Sequence, residues 1–446
     1  MSARIDPPTR VRRKLRRVCG LAVASAAIVA LAGCKPVPGA LDTTFGDEGV
    51  AVYQDATGEA RASVQQPDGK TVVAGHGYHP DGSPSLRAVY VARYDTAGRP
   101  DPTFANSMAK IDVARGGEVV RRVVVDGQGR IVVLGNIPAP DYPDETEVFV
   151  LRLTPTGQLD PTFDGDGILL IDRSNHDRAG DVAVQGSRLL VAASFDSGGS
   201  WANQWTVLAL NETGGLDTGF SGDGIATVPT DKVSEFDRLR SIVLQGNGRI
   251  LLGGSANGEF VAVRLLADGD LDTSWDGDGV ARALVGTGGE AYNAMVQPDG
   301  KVVLAGYARP GGARPDEDMA AVRWTSAGAL DASFDGDGKV LVDFGIQDND
   351  RSYGAALDVD GKVVMGGFAY TTTGMDLAVA RLDTNGTPDP SFSADGRATT
   401  NFGETANEQI ESITIASNAG NPRVLAAGWY HDRWLLAAYH GGVPAA

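Results

Sequence analysis

The side chains best suited to catalysis or metal binding are histidines and an aspartate near the two ends of the chain. His76 and His79 lie early in the sequence, and His431 and Asp432 lie near its end. If the two ends met, these groups could bind a transition metal or carry out acid–base chemistry. The alternative is that they are ordinary surface residues on loops. No G-x-S-x-G elbow, phosphate-binding loop or paired-cysteine motif accompanies them in the sequence.

Seven aromatic residues lie in segments of variable length that separate apolar, strand-like runs. Variable segments gathered on one face of a repeat scaffold are the usual place for recognition. Exposed aromatic rings there would suit a sugar or a peptide. We therefore predict a ligand-binding surface that contains Tyr78, Tyr142, Trp201, Tyr307, Tyr370, Trp429 and Tyr430.

An acidic residue precedes each strand that would line a central axis. One hypothesis is a ring of carboxylates that attracts a cation at the mouth of a channel. The other, which we favour, is that each carboxylate accepts backbone N–H bonds at a turn, since bases such as Arg61, Arg178, Arg238 and Arg351 lie beside them. The residues are Glu59, Glu118, Asp177, Asp237, Glu290, Asp350 and Glu408.

Asp-Gly-Asp-Gly segments at 164–167, 276–279 and 335–338 raise the question of calcium. Calcium takes six to eight oxygen ligands, whereas only two acids alternate in each segment, and Asp-Gly is also a common turn sequence. The sequence therefore implies no cofactor, with calcium as the alternative.

The elements that must position these residues are repeats of about 58 residues. An aromatic residue recurs at Phe45, Phe104, Phe163, Phe220, Trp275, Phe334 and Phe392. An aspartate stands three residues before each one, at Asp42, Asp101, Asp160, Asp217, Asp272, Asp331 and Asp389. An arginine stands eleven residues before five of them, at Arg93, Arg152, Arg264, Arg323 and Arg381. A repeated binding site is one interpretation; we favour an architectural role through charge-assisted hydrogen bonds.

Each repeat contains four short strand-like runs separated by turn residues. The third and fourth runs are almost continuously apolar, which predicts two central strands covered on both faces. Four strands per repeat predict an all-β, seven-bladed β-propeller with four antiparallel strands per blade. The N-terminal run 50–53 should complete the last blade by pairing with 434–439. An open β-solenoid is the rival architecture.

The motifs resemble a known bacterial repeat. Asp68-Gly69-Lys70, Val91-Ala92-Arg93 and Leu271-Asp272-Thr273-Ser274-Trp275 are similar to the delta-60 repeat family, and the similarity covers residues 39–440. The resemblance implies a propeller fold and an exported location, without an established reaction. The sequence departs from the pattern at Met108, and at Ala209 and Ala438, which replace the arginine.

The N-terminal segment has the features of a lipoprotein signal peptide. A basic region is followed by an apolar run at 18–31, which is too short to span a bilayer, and by Leu31-Ala32-Gly33-Cys34. We predict a signal peptide at 1–33, a lipidated Cys34 with a linker to residue 40, the propeller at 41–440 and a tail at 441–446. The alternative is an uncleaved membrane anchor.

Charge restricts the partners that can be expected. The chain has a formal net charge of −18, and cleavage after residue 33 would remove mainly bases. Such a surface disfavours nucleic acid. We expect an exported, lipid-anchored protein of the bacterial envelope that contacts the membrane through Cys34 and is a monomer.

Three functions fit these expectations. The first is a non-enzymatic binding or scaffold propeller that recognises a glycan, peptide or protein through the variable segments. The second is a metal-dependent propeller hydrolase or lyase, with its site at the seam between first and last repeats or at the axial mouth. The third is a structural role in the envelope. Fold alone does not choose among them.

Overall fold

The structure is a computed structural model that describes residues 37–78, 87–113, 116–138, 146–174, 176–196, 203–228, 237–312, 316–345, 348–372, 374–403, 407–418 and 421–441. All of these residues belong to one compact unit, Pro36–Ala446. Cys34, His79, Tyr142 and Trp201 lie outside the described residues. Within the described part, no helix is long and apolar enough to cross a bilayer.

The described chain is all-β apart from a single-turn 3-10 helix at Ala105–Ser107. Five sheets have four antiparallel strands each. Their strands are β5 (Val119–Val125), β6 (Ile131–Pro138), β7 (Thr146–Leu153) and β8 (Ile168–Ile171); β9 (Arg178–Gln185), β10 (Arg188–Asp196), β11 (Asn203–Leu210) and β12 (Ile225–Val228); β13 (Arg238–Leu244), β14 (Ile250–Ala256), β15 (Glu259–Leu265) and β16 (Val280–Ala283); β17 (Gly289–Val296), β18 (Val302–Ala308), β19 (Asp318–Trp324) and β20 (Lys339–Val342); β21 (Asp350–Leu357), β22 (Val363–Thr371), β23 (Gly374–Leu382) and β24 (Arg397–Thr400).

A larger sheet joins the two ends of the described chain. Its order is β25–β26–β27–β1–β2–β3–β4. The strands are β1 (Val50–Gln65), β2 (Thr71–Tyr78), β3 (Arg87–Tyr94), β4 (Met108–Ile111), β25 (Glu408–Asn418), β26 (Asn421–Tyr430) and β27 (Arg433–His440). The first half of β1 pairs with β27, with Val52 opposite Leu435, and the second half pairs with β2. The predicted pairing of the two ends is confirmed, although the first two predicted strands form one continuous strand.

The strand order follows from the apolar pattern. β6 and β7, like their equivalents in the other sheets, lie at the centre and are almost completely buried. The strand before them lies innermost: β1 contacts β5, β5 contacts β9, and this continues until β25 contacts β1. The short outer strand comes from the start of the next repeat. The architecture is therefore a β-propeller, in which closure removes exposed sheet edges.

Neighbouring sheets are held together by apolar clusters. The repeated aromatic residues lie in or beside them, and Phe163 is completely buried, which contributes about 1.5–3 kcal/mol for a side chain of this kind. The glycine six residues before each aromatic makes a close contact with the previous repeat. A Cβ on Gly98 would lie 2.8 Å from the ring of Phe45, and the φ angle of Gly98 is +77°. The glycine is required because neither the space nor the backbone admits a side chain.

The arginine, aspartate and aromatic positions form one repeated contact, which we call the clamp. In four of the five repeats with this arginine, its Nε donates to the aspartate Oδ2 at 2.8 Å. In the remaining repeat, Nε of Arg323 and Oδ2 of Asp331 form an ion pair at 2.8 Å. The guanidinium carbon lies 4.5–5.3 Å from the aromatic ring centre. Nη1 of Arg152 donates to the carbonyl of Glu212 in the next repeat. The clamp therefore joins consecutive repeats through buried, charge-assisted hydrogen bonds.

Two departures from the repeat have structural substitutes. Where Ala209 and Ala438 replace the arginine, Arg188 and Arg423 from the adjacent strand pair with Asp217 and Asp42 instead. In the second repeat, the missing turn glycine at Met108 coincides with the 3-10 helix at Ala105–Ser107, all three residues of which have positive φ.

Candidate functional site

Each innermost strand carries a β-bulge close to the end at which its sheet's two central strands are connected. The bulge lies between two residues that pair regularly with the next strand, such as Ala60 and Ala62 in β1. The residues at these bulges, which we call the mouth ring, are Arg61, Arg121, Gly180, Arg240, Tyr292, Tyr353 and Glu411. Bulges redirect a side chain out of the regular alternation.

The mouth-ring side chains of different sheets interact with one another. Nη1 of Arg61 lies 2.5 Å from Oε1 of Glu411 and 3.3 Å from Glu59. Burial acts to lower the pKa of Arg61, but the two carboxylates outweigh it and raise the pKa. Arg61 and Arg240, as like charges, act to lower the pKa of Arg121. These side chains therefore converge on the axis of the ring.

The opposite side of the mouth ring is aromatic. The rings of Tyr292 and Tyr353 meet edge to face, with centroids 5.0 Å apart, and Tyr307 lies 5.9 Å from Tyr292. Arg240 lies over the face of Tyr292 at 4.6 Å, and Arg351 lies over Tyr307 at 4.7 Å. Edge-to-face contacts hold the tyrosine rings in place, and an arginine cation covers one face of Tyr292 and of Tyr307. Burial raises the pKa of Tyr292 to about 12, so its hydroxyl is neutral at pH 7.

The acidic positions that the sequence aligns are not equivalent in space. Glu118, Asp177, Asp237, Asp350 and Glu408 are buried. Each accepts a backbone N–H, as Glu408 does from Phe402 at 2.7 Å. In the sheet register, Glu59 and Glu290 lie one residue closer to the bulge than the other five acidic residues do. They stand opposite His76 and Tyr307, and their side chains are 34% and 40% exposed. The hypothesis of seven equivalent carboxylates at the mouth is therefore wrong, because a one-residue shift reverses the direction of a strand side chain.

The described members of the predicted aromatic surface lie in strands. Tyr78 ends β2, Tyr370 lies in β22, and Trp429 and Tyr430 end β26, all half-buried at the same end of the ring as the mouth. The prediction of an exposed Tyr307 is wrong: it lies in β18 and is only 7% exposed, since it packs against Tyr292 and Tyr353.

The first and last repeats do meet at the predicted seam. His76 and Asp432 line the same cavity, which has a volume of about 10 Å³. Burial lowers the pKa of His76 to about 4, and its Nε2 lies 3.5 Å from Glu59. His431 and Asp432 form the β26–β27 turn with positive φ, and the His431 ring contacts Tyr430 at 4.5 Å. Within the described residues, these seam groups do not form a set of ligands at metal-binding distances.

The Asp-Gly-Asp-Gly segments serve as turns. The second aspartate accepts the N–H two residues later, as Asp166 does from Ile168 at 2.9 Å. Within the described chain, one acidic group has oxygens close enough to hold a cation together: Asp318, Asp343 and Asp350, elsewhere in the fold. Burial raises the pKa of Asp350 to about 7, with Asp318 and Asp343 adding to the effect.

Sequence reasoning missed most of the mouth ring. Arg121, Arg240, Tyr292, Tyr353 and Glu411 follow the acidic position by two or three residues, and the variable offset hides the column. The usable signal was the break in alternation on the inner strand, which marks a bulge.

Comparisons with known proteins agree on the fold. Residues 66–104, 245–274, 297–334 and 360–392 match the family described as a domain of unknown function (DUF5122) beta-propeller. No curated protein shows significant sequence similarity to the chain.

Solved structures with a similar fold have low sequence identity. A catalytically inactive virginiamycin B lyase from Staphylococcus aureus with quinupristin is 8% identical, with a TM-score of 0.50 over 87% of this chain and 98% of that chain. The beta-propeller domain of the trilobed protease from Pyrococcus furiosus is 9% identical, with a TM-score of 0.40 over 85% and 94%. Such likeness concerns the fold alone. The chain is a β-propeller whose matched segments are similar to a repeat family of unknown function.

Proposed function

We propose that this chain is a non-enzymatic binding propeller that recognises a glycan, peptide or protein through the face that carries the mouth ring. The observation that carries the proposal is the mouth ring itself. It brings arginine, tyrosine and glutamate side chains from different sheets together. Phe368 connects the ring of Tyr353 to that of Tyr370. Planar guanidinium groups and rigid aromatic rings are the side chains that recognition sites favour.

A binding screen of the purified protein against glycan and peptide arrays tests the proposal. We expect a ligand whose binding falls at least about tenfold, or 1.4 kcal/mol, in Tyr353→Ala, because that ring is shared by the aromatic side of the mouth. Val359→Ala is the control, since Val359 is 51% exposed on the turn at the opposite end of the β21–β22 pair.

Two results would contradict the proposal. One is a full screen without any ligand for a protein that is folded by circular dichroism. The other is a ligand that Val359→Ala weakens and Tyr353→Ala does not, because recognition would then use the other face.

A metal-dependent hydrolase or lyase is the rival proposal, and the shared cavity of His76 and Asp432 is the observation in its favour. Elemental analysis of the purified protein separates the two functions. Stoichiometric transition metal that is lost in His79→Ala and His431→Ala would support the rival, whereas metal-free protein that binds an array ligand would support the binding propeller.

We propose seven blades for the ring. The support is the sequence of seven hydrophobic clusters among the described residues, each built from two neighbouring repeats. The cluster of Val73 and Leu425 joins the first and last repeats. In this proposal, the seven-stranded sheet is two blades that share the long β1.

We also propose lipid attachment at Cys34 in an exported protein. Residues 39–41 pair with the C-terminal end of β27, through Gly39 N–H to the His440 carbonyl and Leu41 opposite Tyr439. That end is opposite the β26–β27 turn, so an anchor there would leave the mouth facing away from the membrane. Mass spectrometry should find diacylglycerol on Cys34 and none in Cys34→Ser; an unmodified Cys34 in membrane-free protein would contradict the attachment.

A further inference from the structure

A cavity lies beside the mouth ring between β5, β9 and β13. Its volume is about 360 Å³, and four arginines line it: Arg121, Arg178, Arg238 and Arg240. His176, Asn136 and Thr146 supply further polar groups, and the part of the lining that the structure describes contains no Asp or Glu. This concentration of positive charge occurs in a chain whose formal net charge is −18. We call it the arginine cavity.

The cavity lies next to the one mouth-ring position that has no side chain, since the preceding residues Arg178 and Ala179 line it. Gly180 occupies the bulge of β9, where the other inner strands place a larger residue. A Cβ there would lie 2.3 Å from the carbonyl oxygen of Leu239 in β13. The close approach of the two backbones therefore requires glycine, and the missing side chain leaves room between Arg121 and Arg240.

Arg121 differs from the other mouth-ring arginines in its partners. Arg61 is paired with Glu411 and Glu59, and Arg240 lies 3.5 Å from Glu290. Within the described residues, Arg121 forms no ion pair with a carboxylate, although Glu411 attracts it electrostatically. Its Nε, like that of Arg240, is buried without a hydrogen-bond acceptor. A buried donor of this kind costs free energy until an acceptor arrives.

The electrostatic environment of Arg121 favours an anion. Burial, together with Arg61 and Arg240 as like charges, lowers the pKa of Arg121 to about 9, although Glu411 acts in the opposite direction. The guanidinium group is still charged at pH 7, so its repulsion from the other arginines is present in the folded protein. An anion bound between Arg121 and Arg240 would replace this repulsion with attraction.

We propose that the arginine cavity binds the oxyanion group of a ligand, with Arg121 and Arg240 as its principal donors. The inference deepens the proposed binding function and rests on it for the rest of the ligand. A guanidinium fork offers two parallel N–H donors to a carboxylate or sulfate. The cavity is small and the chain as a whole is acidic, so a single acidic group on a sugar fits better than a long polyanion.

Calorimetric titration of the purified protein at constant ionic strength tests the inference. The probes are sodium sulfate and sodium glucuronate, with glucose as the neutral control. We expect saturable binding of sulfate, glucuronate or both, no binding of glucose, and at least a tenfold loss of affinity in Arg121→Met. Sulfate alone would identify a sulfated ligand, and glucuronate alone would identify a carboxylated one.

Arg99→Met is the matched control, since it removes the same charge from an exposed turn at the opposite face. It should leave the titration unchanged. Arg121→Met should keep its thermal unfolding midpoint or raise it, because it removes a half-buried charge that has no ion-pair partner among the described residues. Loss of binding in a well-folded variant would then report the site.

Some outcomes would overturn the inference. They are absence of saturation with both anions, or equal weakening by Arg99→Met and Arg121→Met. If an array ligand bound through Tyr353 but Arg121→Met did not affect it and neither anion bound, the binding function would stand and the oxyanion site would fall.

Discussion

The clamp and the mouth ring each occur at an equivalent position in successive repeats. The clamp uses nearly the same residues in each repeat, whereas the residue in the mouth ring changes from one repeat to the next. In the clamp, Arg152, Asp160 and Phe163 recur almost unchanged, and the arginine–aspartate distance is the same in all five copies. In the mouth ring, the bulge recurs but the residue changes, from Arg121 to Gly180 to Tyr353.

The difference separates construction from recognition. A buried guanidinium needs the same carboxylate and the same ring wherever it occurs, so the clamp tolerates little change. A bulge fixes the backbone without depending on the side chain, so each repeat can present a different group to the axis. We infer that uniform positions hold this ring together and that divergent positions on common backbone geometry make its binding site.

The largest expected effect is the loss of a clamp. Arg152 is 2% exposed and donates to Asp160, to Glu212 in the next repeat and to Thr162. In Arg152→Ala, the buried Asp160 carboxylate would lose its counter-charge and Phe163 its cover. We expect a loss of about 3–5 kcal/mol in the free energy of unfolding, measured by urea denaturation.

Arg121→Met gives the comparison for that experiment. Its free energy of unfolding should stay within about 1 kcal/mol of the parent or exceed it, since the arginine has no carboxylate partner to lose. If the two variants lost equal stability, the mouth ring would be structural and the contrast between the two regions would be wrong.

A smaller loss of stability is expected in the repeat where an arginine from the adjacent strand substitutes for the clamp arginine. Arg188 replaces the missing arginine of the third repeat, but it and Asp217 are partly exposed, at 21% and 30%. Arg188→Ala should therefore lower the urea midpoint less than Arg152→Ala does. Adding Ala209→Arg should restore the midpoint, because Asp217 N–H bonds the Ala209 carbonyl at 2.8 Å, much as Asp160 bonds Arg152. No recovery would show that the third repeat has lost the clamp geometry.

The two kinds of carboxylate predict different pH dependence. Burial acts to raise the pKa of Asp272, but hydrogen bonds from Ser274, Arg249 and the clamp arginine outweigh it and lower the pKa to about 2. Its stabilisation is present above about pH 4, the unfolded value, and is lost as the pH falls through 2. Burial, with a contribution from Asp376, raises the pKa of Glu408 to about 7. Its stabilisation is present below about pH 4 and is lost as the pH rises through 7.

Glu408→Gln tests this sign. A neutral amide keeps an acceptor for the Phe402 N–H and does not ionise. The variant should lose less stability than the parent between pH 5 and pH 8, with the difference in slope at most about 1.4 kcal/mol per pH unit. Thermal unfolding across this range measures it. A parallel shift of the whole curve would contradict the raised pKa.

The sequence is enough to predict much of the fold, but little of the mouth ring. Periodicity and apolar runs predict the strands, their order and the pairing of residues 50–53 with β27, because these features repeat. The side chain of Glu290 could not be placed, because a one-residue shift that only the sheet register reveals separates it from Glu408. Tyr307 was misplaced because β18 extends further than its apolar run.

The smallest effect on stability should come from a charge at the mouth. Glu290 is 40% exposed and lies 3.5 Å from Arg240, so Glu290→Gln should change the free energy of unfolding by about 0.5 kcal/mol or less. It should nevertheless tighten sulfate binding by a few fold, because Arg240 would no longer be partly neutralised beside the arginine cavity. Urea denaturation and calorimetry on the same preparation measure both quantities. A loss of stability with unchanged sulfate binding would show that Glu290 stabilises the fold and does not affect the binding site. It would also contradict the inference that the variable positions at the mouth serve binding.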